Sequence, residues 1–362
     1  MVETEATGQS RTTMTGRIPE CDVDGIEWES VSCNLCGGDD TRPLHRLRER
    51  AYGLPGLFQV VECEQCHLVY LNPRPTRRSI RMFYPPSYAP YIQSQTESPP
   101  GRWGRMKSWI KRRIFETAGA MSPECVGQQR LKRSIWLTPL VWFYTLLNPR
   151  FIPFEEGKRV LDIGCGRGDL LRFLRDLGWE VHGLEPDPET ARACRDRFGL
   201  DVIETEFEEY GAAPEPFDLV VFNHVLEHLH DPSEALRRAN RLLRPGGRLL
   251  ICAPDITSIE YRMFKDDWFS LECPRHLSHF SPTTLGQMLR QTGFTEPSVR
   301  YEPAEFTLRH SLEYRFHDRL ILDRSSLALI LLKGGCFLVS LMFAIAHRGS
   351  IITIIARKTG RG

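Results

Sequence analysis

Three groups of residues in this 362-residue chain have types and spacings that could do chemistry. In KRVLDIGCGRGDLLRFL, Asp162 precedes three alternate glycines, Gly164, Gly166 and Gly168, with Cys165 between the first two. Glycines let a backbone approach a ligand closely, and the start of a following helix offers unpaired N–H groups. A dinucleotide site wants G-x-G-x-x-G, with the pyrophosphate on the helix N-terminus. Here the pattern is G-x-G-x-G behind a carboxylate, which repels a pyrophosphate and suits a cation. The second group is two C-x2-C pairs, Cys33/Cys36 and Cys63/Cys66. Thiolates at i and i+3 of a tight turn take two corners of a tetrahedron, and the second pair closes it around zinc. Four thiolates leave no open position, so that metal is structural; His67, next to Cys66, is a competing ligand. The third group is imidazoles beside carboxylates: His224, Glu227, His228 and His230 in one stretch, and Glu272, Arg275, His276 and His279 in another. Such groups are candidates for general acid–base work.

The elements that must position these groups are readable in order. An apolar run, Val160 to Ile163, feeds the glycine turn, and Leu170, Leu171, Phe173 and Leu174 follow at helical spacing. A second strand, WEVHGLEPD, ends in Glu185. An acid there, about twenty residues after the turn, hydrogen-bonds a ribose diol in this architecture. A turn that tolerates a cation and an acid that reads a ribose together fit S-adenosylmethionine. Further strands are expected in DVIETEFEEYG, in FDLVVFNHVLEHLHDP and after the Pro-Gly-Gly turn of LLRPGGRLLICAPD. FSPTTL reads as a helix start capped by Ser281.

With these motifs in this order, the chain resembles the class I S-adenosylmethionine-dependent methyltransferases, whose first motif reads like Leu161-Asp162-Ile163-Gly164-Cys165-Gly166. The resemblance implies an α/β fold, a doubly wound seven-stranded Rossmann-like sheet, closed by GSIITIIARK, Gly349 to Lys358. It places Asp162, Gly164, Cys165, Gly166 and Gly168 at the methionine part and Glu185 at the ribose. Glu206 and Phe207 go to the adenine, and Asn223 also lies on the cofactor side. The segment HLVYLNPRPTRRSIRMFYPPSY resembles the joint between a zinc ribbon and the catalytic domain in a subset of the family. That subset acts on sugars, glycan or lipid-linked intermediates and other secondary metabolites. Its Pro-Arg-His triplet matches Pro274-Arg275-His276, which implies His276 as base and Arg275 as the group orienting a polar or anionic part of the acceptor. His228 is the second catalytic candidate.

The expected reaction is O-methylation of a small or lipid-linked acceptor such as a sugar or quinol intermediate. Two rivals are a nicotinamide-dependent oxidoreductase, which the missing G-x-G-x-x-G disfavours, and a non-catalytic ribbon module. A net charge of +1 gives no global field for nucleic acid. Between the knuckles, Arg42, Arg46, Arg48 and Arg50 are mixed with Asp39, Asp40 and Glu49, so no nucleic acid is expected. The polar opening MVETEATGQSRTTMTGRIPE has no apolar h-region, and eleven cysteines read as core or metal residues of a reducing cytoplasm. The expected organisation is a disordered tail (1–28), the ribbon (29–75), a basic, aromatic helical linker or cap (76–155) and the methyltransferase domain (156–360). Two segments could touch a membrane surface at its inner face. One is 102–150, where Trp103, Met106, Trp109, Ile110 and Ile114 alternate with basic residues. The other is 327–346, where Lys333 and Gly334-Gly335 argue for a bent, interfacial or core-packed helical hairpin rather than a span.

Overall fold

The structure is a computed structural model that describes residues 25–85, 88, 158–211, 213–316 and 327–360. Most of the expected cap, and all of 102–150, lie outside the described residues, as does the tail up to residue 24. Five short strands come first: β1 (Trp28–Glu29), β2 (Thr41–Arg48), β3 (Leu57–Cys63), β4 (Val69–Leu71) and β5 (Arg74–Pro75). The α/β part runs β6 (Arg159–Ile163), α1 (Asp169–Asp176), β7 (Glu180–Leu184), α2 (Pro188–Phe198), β8 (Asp201–Ile203), β9 (Phe217–Asn223), α3 (Pro232–Leu242) and β10 (Leu243–Pro254). It continues with α4 (Ile259–Phe264), β11 (Ser278–His279), α5 (Pro282–Gln291), β12 (Ser298–Glu302), α6 (Glu305–Arg315), α7 (Leu327–Ile345) and β13 (Ile351–Arg357).

The main sheet has seven strands in the order β12-β13-β10-β9-β6-β7-β8. Strands β10, β9, β6, β7 and β8 are parallel, and β13 inserts antiparallel between β10 and β12. Successive residues of a strand face opposite sides, and here both sides are apolar. Val160, Val221 and Leu250 pack with Leu171 and Leu174 of α1 and Ala191 and Cys194 of α2. Leu161, Val220 and Ile251 pack with Leu236 of α3 and Leu285 and Met288 of α5. Covering on both faces is what a largely parallel sheet requires. The helix starts are set locally. Asp187 accepts from Thr190 N at 2.8 Å ahead of α2, Asp231 from Glu234 N at 2.9 Å ahead of α3, and each is followed by proline. Ser281 and Thr284 form the expected cap of α5 as a reciprocal box.

The N-terminal module is less separate than its sequence suggests. Its sheet has the order β11-β4-β3-β2, so the fourth strand comes from the loop that carries His276 and His279. Cys33, Leu35, Val61, Cys63, Leu68 and Tyr70 share one buried cluster with Leu226, Phe280 and the α3 side of the main sheet. Ribbon and α/β domain have a common core.

Near the C-terminus the expected hairpin is a correction. α7 runs unbroken through Gly334 and Gly335. Each glycine costs about 1 kcal/mol against alanine in a helix interior, and packing on α6 and β12 overrides that penalty. Leu329, Cys336, Ser340 and Ala344 face inward. Ile330, Leu331, Leu338 and Met342 are each at least 60% exposed, an open apolar face. Among the described residues α7 alone is long and apolar enough to cross a membrane, with mean hydropathy 2.2. It leads within a few residues into β13, which is buried inside the sheet.

Candidate active site

The order of the main sheet reverses at β6, whose neighbours are β7 on one side and β9 on the other. A crevice beyond the strand ends at such a point is where open α/β sheets hold ligands. The glycine turn sits there. Gly166 has φ 53°, a left-handed value, and a side chain added to it would meet nothing within 4 Å. Gly164, at φ 63°, leaves no such room, because an added Cβ would lie 2.7 Å from Val225 in the loop after β9. That contact also brings the loop carrying His224, Glu227 and His228 against the turn.

Two acids line the turn. Glu185, 5% exposed at the end of β7, accepts from Gly166 N at 2.9 Å and from Asp187 N at 3.0 Å. Asp162 is 3% exposed and its Oδ1 has no hydrogen-bond partner. Burial, and then the charge of Glu185, push the Asp162 carboxyl up to about 8. A buried carboxyl with an orphaned oxygen is stabilised by a cation, and the open approach at Gly166 lies on the same turn, so the residues present fit the sulfonium and ammonium of S-adenosylmethionine. Asn223 ends β9 beside this turn. Cys165 is buried and packs with the α1–α2 side of the core.

Two adenine expectations fare differently. Phe207 is 4% exposed and edge-on to Phe222 with ring centroids 5.5 Å apart, so its ring is held in the core beside the loop after β8. Its apolar bulk is worth more in the core than at a rim. Glu206 is paired with Arg81 of the segment after the ribbon, an ion pair that ties that segment to the loop after β8.

The four ribbon cysteines converge. Cys33 and Cys66 have their sulfurs 3.4 Å apart, as do Cys36 and Cys63, and all four sulfurs lie within 4.8 Å of one another. Sulfurs around a tetrahedral zinc at about 2.3 Å stand about 3.8 Å apart, so the quartet fits a metal. Burial pushes the Cys33 thiol up to about 11 and raises Cys66 as well. Four thiolates need a cation to coexist there. His67 turns away, with Nδ1 2.8 Å from Glu62.

The imidazoles meet at the joint of the two modules. Leu277 N donates to Glu227 O at 2.8 Å, and Leu71 N to Leu277 O at 3.0 Å, so the loops after β9 and β10 and the ribbon strand β4 are laced together. The rings of His228 and His276 stand edge to face, 4.7 Å between centroids, and His279 follows 6.2 Å from His276. Nδ1 of His276 is 2.8 Å from Ser270 O, and Nδ1 of His228 is 3.1 Å from Arg275 O and 3.0 Å from the Tyr84 hydroxyl. A carbonyl only accepts, so each bond to one puts the proton on Nδ1 and leaves Nε2 basic. Burial, and then the neighbouring His276, hold His228 down at about 4, and burial holds His279 at about 3. Burial alone would raise Glu227, yet His224, His276 and His228 around it hold it at about 2. His230 is set apart, its Nε2 3.1 Å from Pro75 O.

Arg275 is the second correction. It is fully buried, and its guanidinium donates to Glu272 at 2.8 Å, to Phe83 O at 3.1 Å and to Glu49 at 2.8 Å, with Tyr52 stacked 4.9 Å away. It fastens the ribbon to the catalytic loop rather than facing an acceptor. Glu49 and Tyr84 were missed. Glu49 read as one more surface charge in a mixed stretch, and the only signal for Tyr84 was its place in an aromatic, proline-rich joint.

Residues 143–297 match the model of a methyltransferase domain family. A ubiquinone biosynthesis O-methyltransferase of Cereibacter sphaeroides is 42% identical over 154 residues, which are 39% of this chain and 62% of that protein. One of Xanthomonas euvesicatoria is 29% identical over 162 residues, 41% of this chain and 68% of that one. A solved S-adenosylmethionine-dependent methyltransferase of Archaeoglobus fulgidus is 23% identical with a TM-score of 0.42, covering 61% of this chain and 94% of that one. The chain thus spans about three fifths of the length of the first of these relatives, 62%.

Proposed function

With residues 143–297 a methyltransferase domain, we propose that this protein transfers a methyl group from S-adenosylmethionine to a hydroxyl oxygen of a small or lipid-linked acceptor, of the quinol type. One observation carries the reading: the buried Asp162 carboxyl with an unpartnered oxygen and the open approach at Gly166 adjoin the loop of His228, which packs on His276, and both rings turn Nδ1 to a backbone carbonyl. The relatives named as O-methyltransferases of ubiquinone biosynthesis support the acceptor class. When bound, the cofactor supplies an electrophilic methyl on sulfur. Asp162 and Glu185 hold its methionine and ribose parts, and the loop after β9 walls the turn. The acceptor docks beside the His228–His276 pair, and the Nε2 of His276 takes its proton as the oxygen–carbon bond forms and the sulfur–carbon pair returns to sulfur. The open apolar face of α7 lies against a lipid surface in this reading, which brings a lipid-linked acceptor to a cytoplasmic enzyme. Incubation with methyl-labelled S-adenosylmethionine and a panel of polyprenyl catechols, simple catechols and sugars should label an O-methyl group. Absence of both cofactor binding and labelled product would sink the reading.

Cofactor affinity should depend on pH through Asp162. Its carboxyl is largely protonated below about 8 in the free protein, and holding a cation requires it ionised. One proton therefore leaves on binding, and affinity should rise up to about tenfold per pH unit until about pH 8, then level off. In the free protein the sign is opposite. The raised pKa contributes stability that is complete below the unfolded value of about 3.9 and is lost as pH rises through about 8. Calorimetry in buffers of different ionisation heat counts the proton, and a flat affinity across neutral pH would mean that Asp162 keeps it.

The cysteine quartet is assigned a structural zinc in the same reading. Native mass spectrometry should find one zinc per chain in the wild type and none in Cys63→Ser. A wild type free of metal and still carrying an ordered ribbon overturns the assignment.

A further inference from the structure

Away from the cysteine quartet, two buried thiols meet beneath the glycine turn, and methyl transfer uses neither of them. Cys165 lies in the turn between Gly164 and Gly166, and Cys194 lies on α2. Cys194 is 1% exposed and Cys165 8%, and both belong to the core on the α1–α2 side of the main sheet. Their sulfurs converge on one backbone atom. Sγ of Cys194 donates to Gly166 O at 3.1 Å, and Sγ of Cys165 stands 3.9 Å from the same oxygen. The two thiols also share a hydrogen bond. Two glycines make room for the pair: a Cβ added to Gly183 would lie 2.8 Å from the Cys165 sulfur, and one added to Gly168 would lie 3.4 Å from the Cys194 sulfur. The hydrogen bond from Cys165 holds the Cys194 thiol below its usual value, while the same bond, and then burial, push Cys165 up. The thiolate is the nucleophile in thiol chemistry, so Cys194 is the sulfur that reacts first and Cys165 the one that resolves.

We propose that Cys165 and Cys194 form a redox modification site, which a peroxide converts to a disulfide and which in that state no longer lets the turn hold S-adenosylmethionine. The proposal rests on the reading of this turn as the cofactor site. The Cys194 thiolate attacks one peroxide oxygen; a sulfur–oxygen bond forms, the oxygen–oxygen bond breaks, and the departing hydroxide takes a proton to become water. The Cys165 sulfur then attacks the sulfenic sulfur of Cys194. The sulfur–oxygen bond breaks, and the hydroxyl leaves with the Cys165 proton as a second water. The two sulfurs together lose two electrons, and the peroxide gains them. Helix α2 is capped at Asp187 and packed on the core, so the turn is the part that yields. Drawing Cys165 toward α2 displaces Gly166, whose N–H donates to Glu185 at 2.9 Å. The ribose-reading acid and the open approach at Gly166 then lose their register. The coupling is reciprocal, so a bound cofactor that holds the turn should slow the oxidation. Transient disulfides of this kind are the ones that a reducing compartment uses for sensing.

The test uses the full chain, reduced and carrying its ribbon zinc. Calorimetry measures its affinity for S-adenosylmethionine before and after treatment with hydrogen peroxide. The oxidised wild type should bind about ten- to a hundredfold more weakly, the range for a lost hydrogen bond to a charged group, and a thiol reductant should restore the affinity. Peptide mapping should find Cys165 joined to Cys194, and saturating cofactor should delay that bond. Cys194→Ser, nearly isosteric, should bind the cofactor as the wild type does and keep its affinity through the treatment. Cofactor-binding wild type that forms no Cys165–Cys194 bond overturns the site, and so does a protein that carries the bond at unchanged affinity. An equal loss of affinity in Cys194→Ser overturns it as well, with native mass spectrometry showing whether zinc has left the ribbon instead. Reduced wild type that binds no cofactor overturns the reading of the turn, while the peptide map still decides the bond. The wild-type map and affinities settle the matter even where the variant folds poorly.

Discussion

His276→Ala is expected to lower the rate of methyl transfer by about 10²–10⁴, the usual range for a lost acid–base group, with cofactor affinity nearly intact. The ring has no part in the glycine turn. Its Nδ1 is spent on Ser270 O, its face lies against His228, and its Nε2 points to Glu272 Oε2 at 3.5 Å. Truncation therefore removes the proton-handling atom and leaves Asp162 and Glu185 as they were. His228→Ala is the informative contrast, because its loop also supplies Val225, the wall of Gly164. That variant should lose cofactor affinity as well as rate. Initial rates with labelled cofactor, beside calorimetric dissociation constants, separate the two effects. Full turnover by His276→Ala would move the base elsewhere.

Arg275→Met should destabilise the fold by about 3–5 kcal/mol, the cost of breaking a buried ion pair by removing one partner. The side chains of Arg275 and Glu49 are 1% and 0% exposed. Removing the guanidinium strands Glu49 among its backbone donors and frees Phe83 O and Glu272 as well. Arg275→Lys should fall between, since a single ammonium cannot reach three acceptors spread around a planar fork. Chemical denaturation measures both. A loss under about 1 kcal/mol for the methionine variant would show that the pair contributes little to joining the modules.

Much of this was legible in the sequence because the signals were local. Val160 to Ile163 and the glycines announce a strand and a turn within a dozen residues, and the cysteine pairs announce two knuckles by spacing alone. The jobs of Arg275 and Phe207 were not legible, because each is decided by residues far away in the chain. Arg275 meets a carboxylate 226 positions upstream, and no triplet motif records that distance. Phe207 was assigned to the adenine by its place after the third strand, while its ring packs edge-on against Phe222. β11 is two residues long and has no periodicity to read. It exists because β4 offers an edge, so the merging of ribbon and catalytic loop is a property of the pairing alone.

The position of β13 bears on how the protein is made. It pairs with β10 on one side and β12 on the other, with Ile352, Thr353 and Ile354 wholly out of water, yet it follows every other described strand in the chain. During synthesis, β10 must leave the ribosome with its outer edge open, and β12 has no partner at all until β13 appears. α7, with its open apolar face, emerges in the same interval. The nascent chain thus shows an unpaired strand edge and a greasy helix together while synthesis proceeds from β10 to β13, a period of several seconds at about 5–20 residues per second. Chaperone demand should concentrate in that window, and a stop codon placed just before β13 should yield aggregates rather than a slightly shortened enzyme.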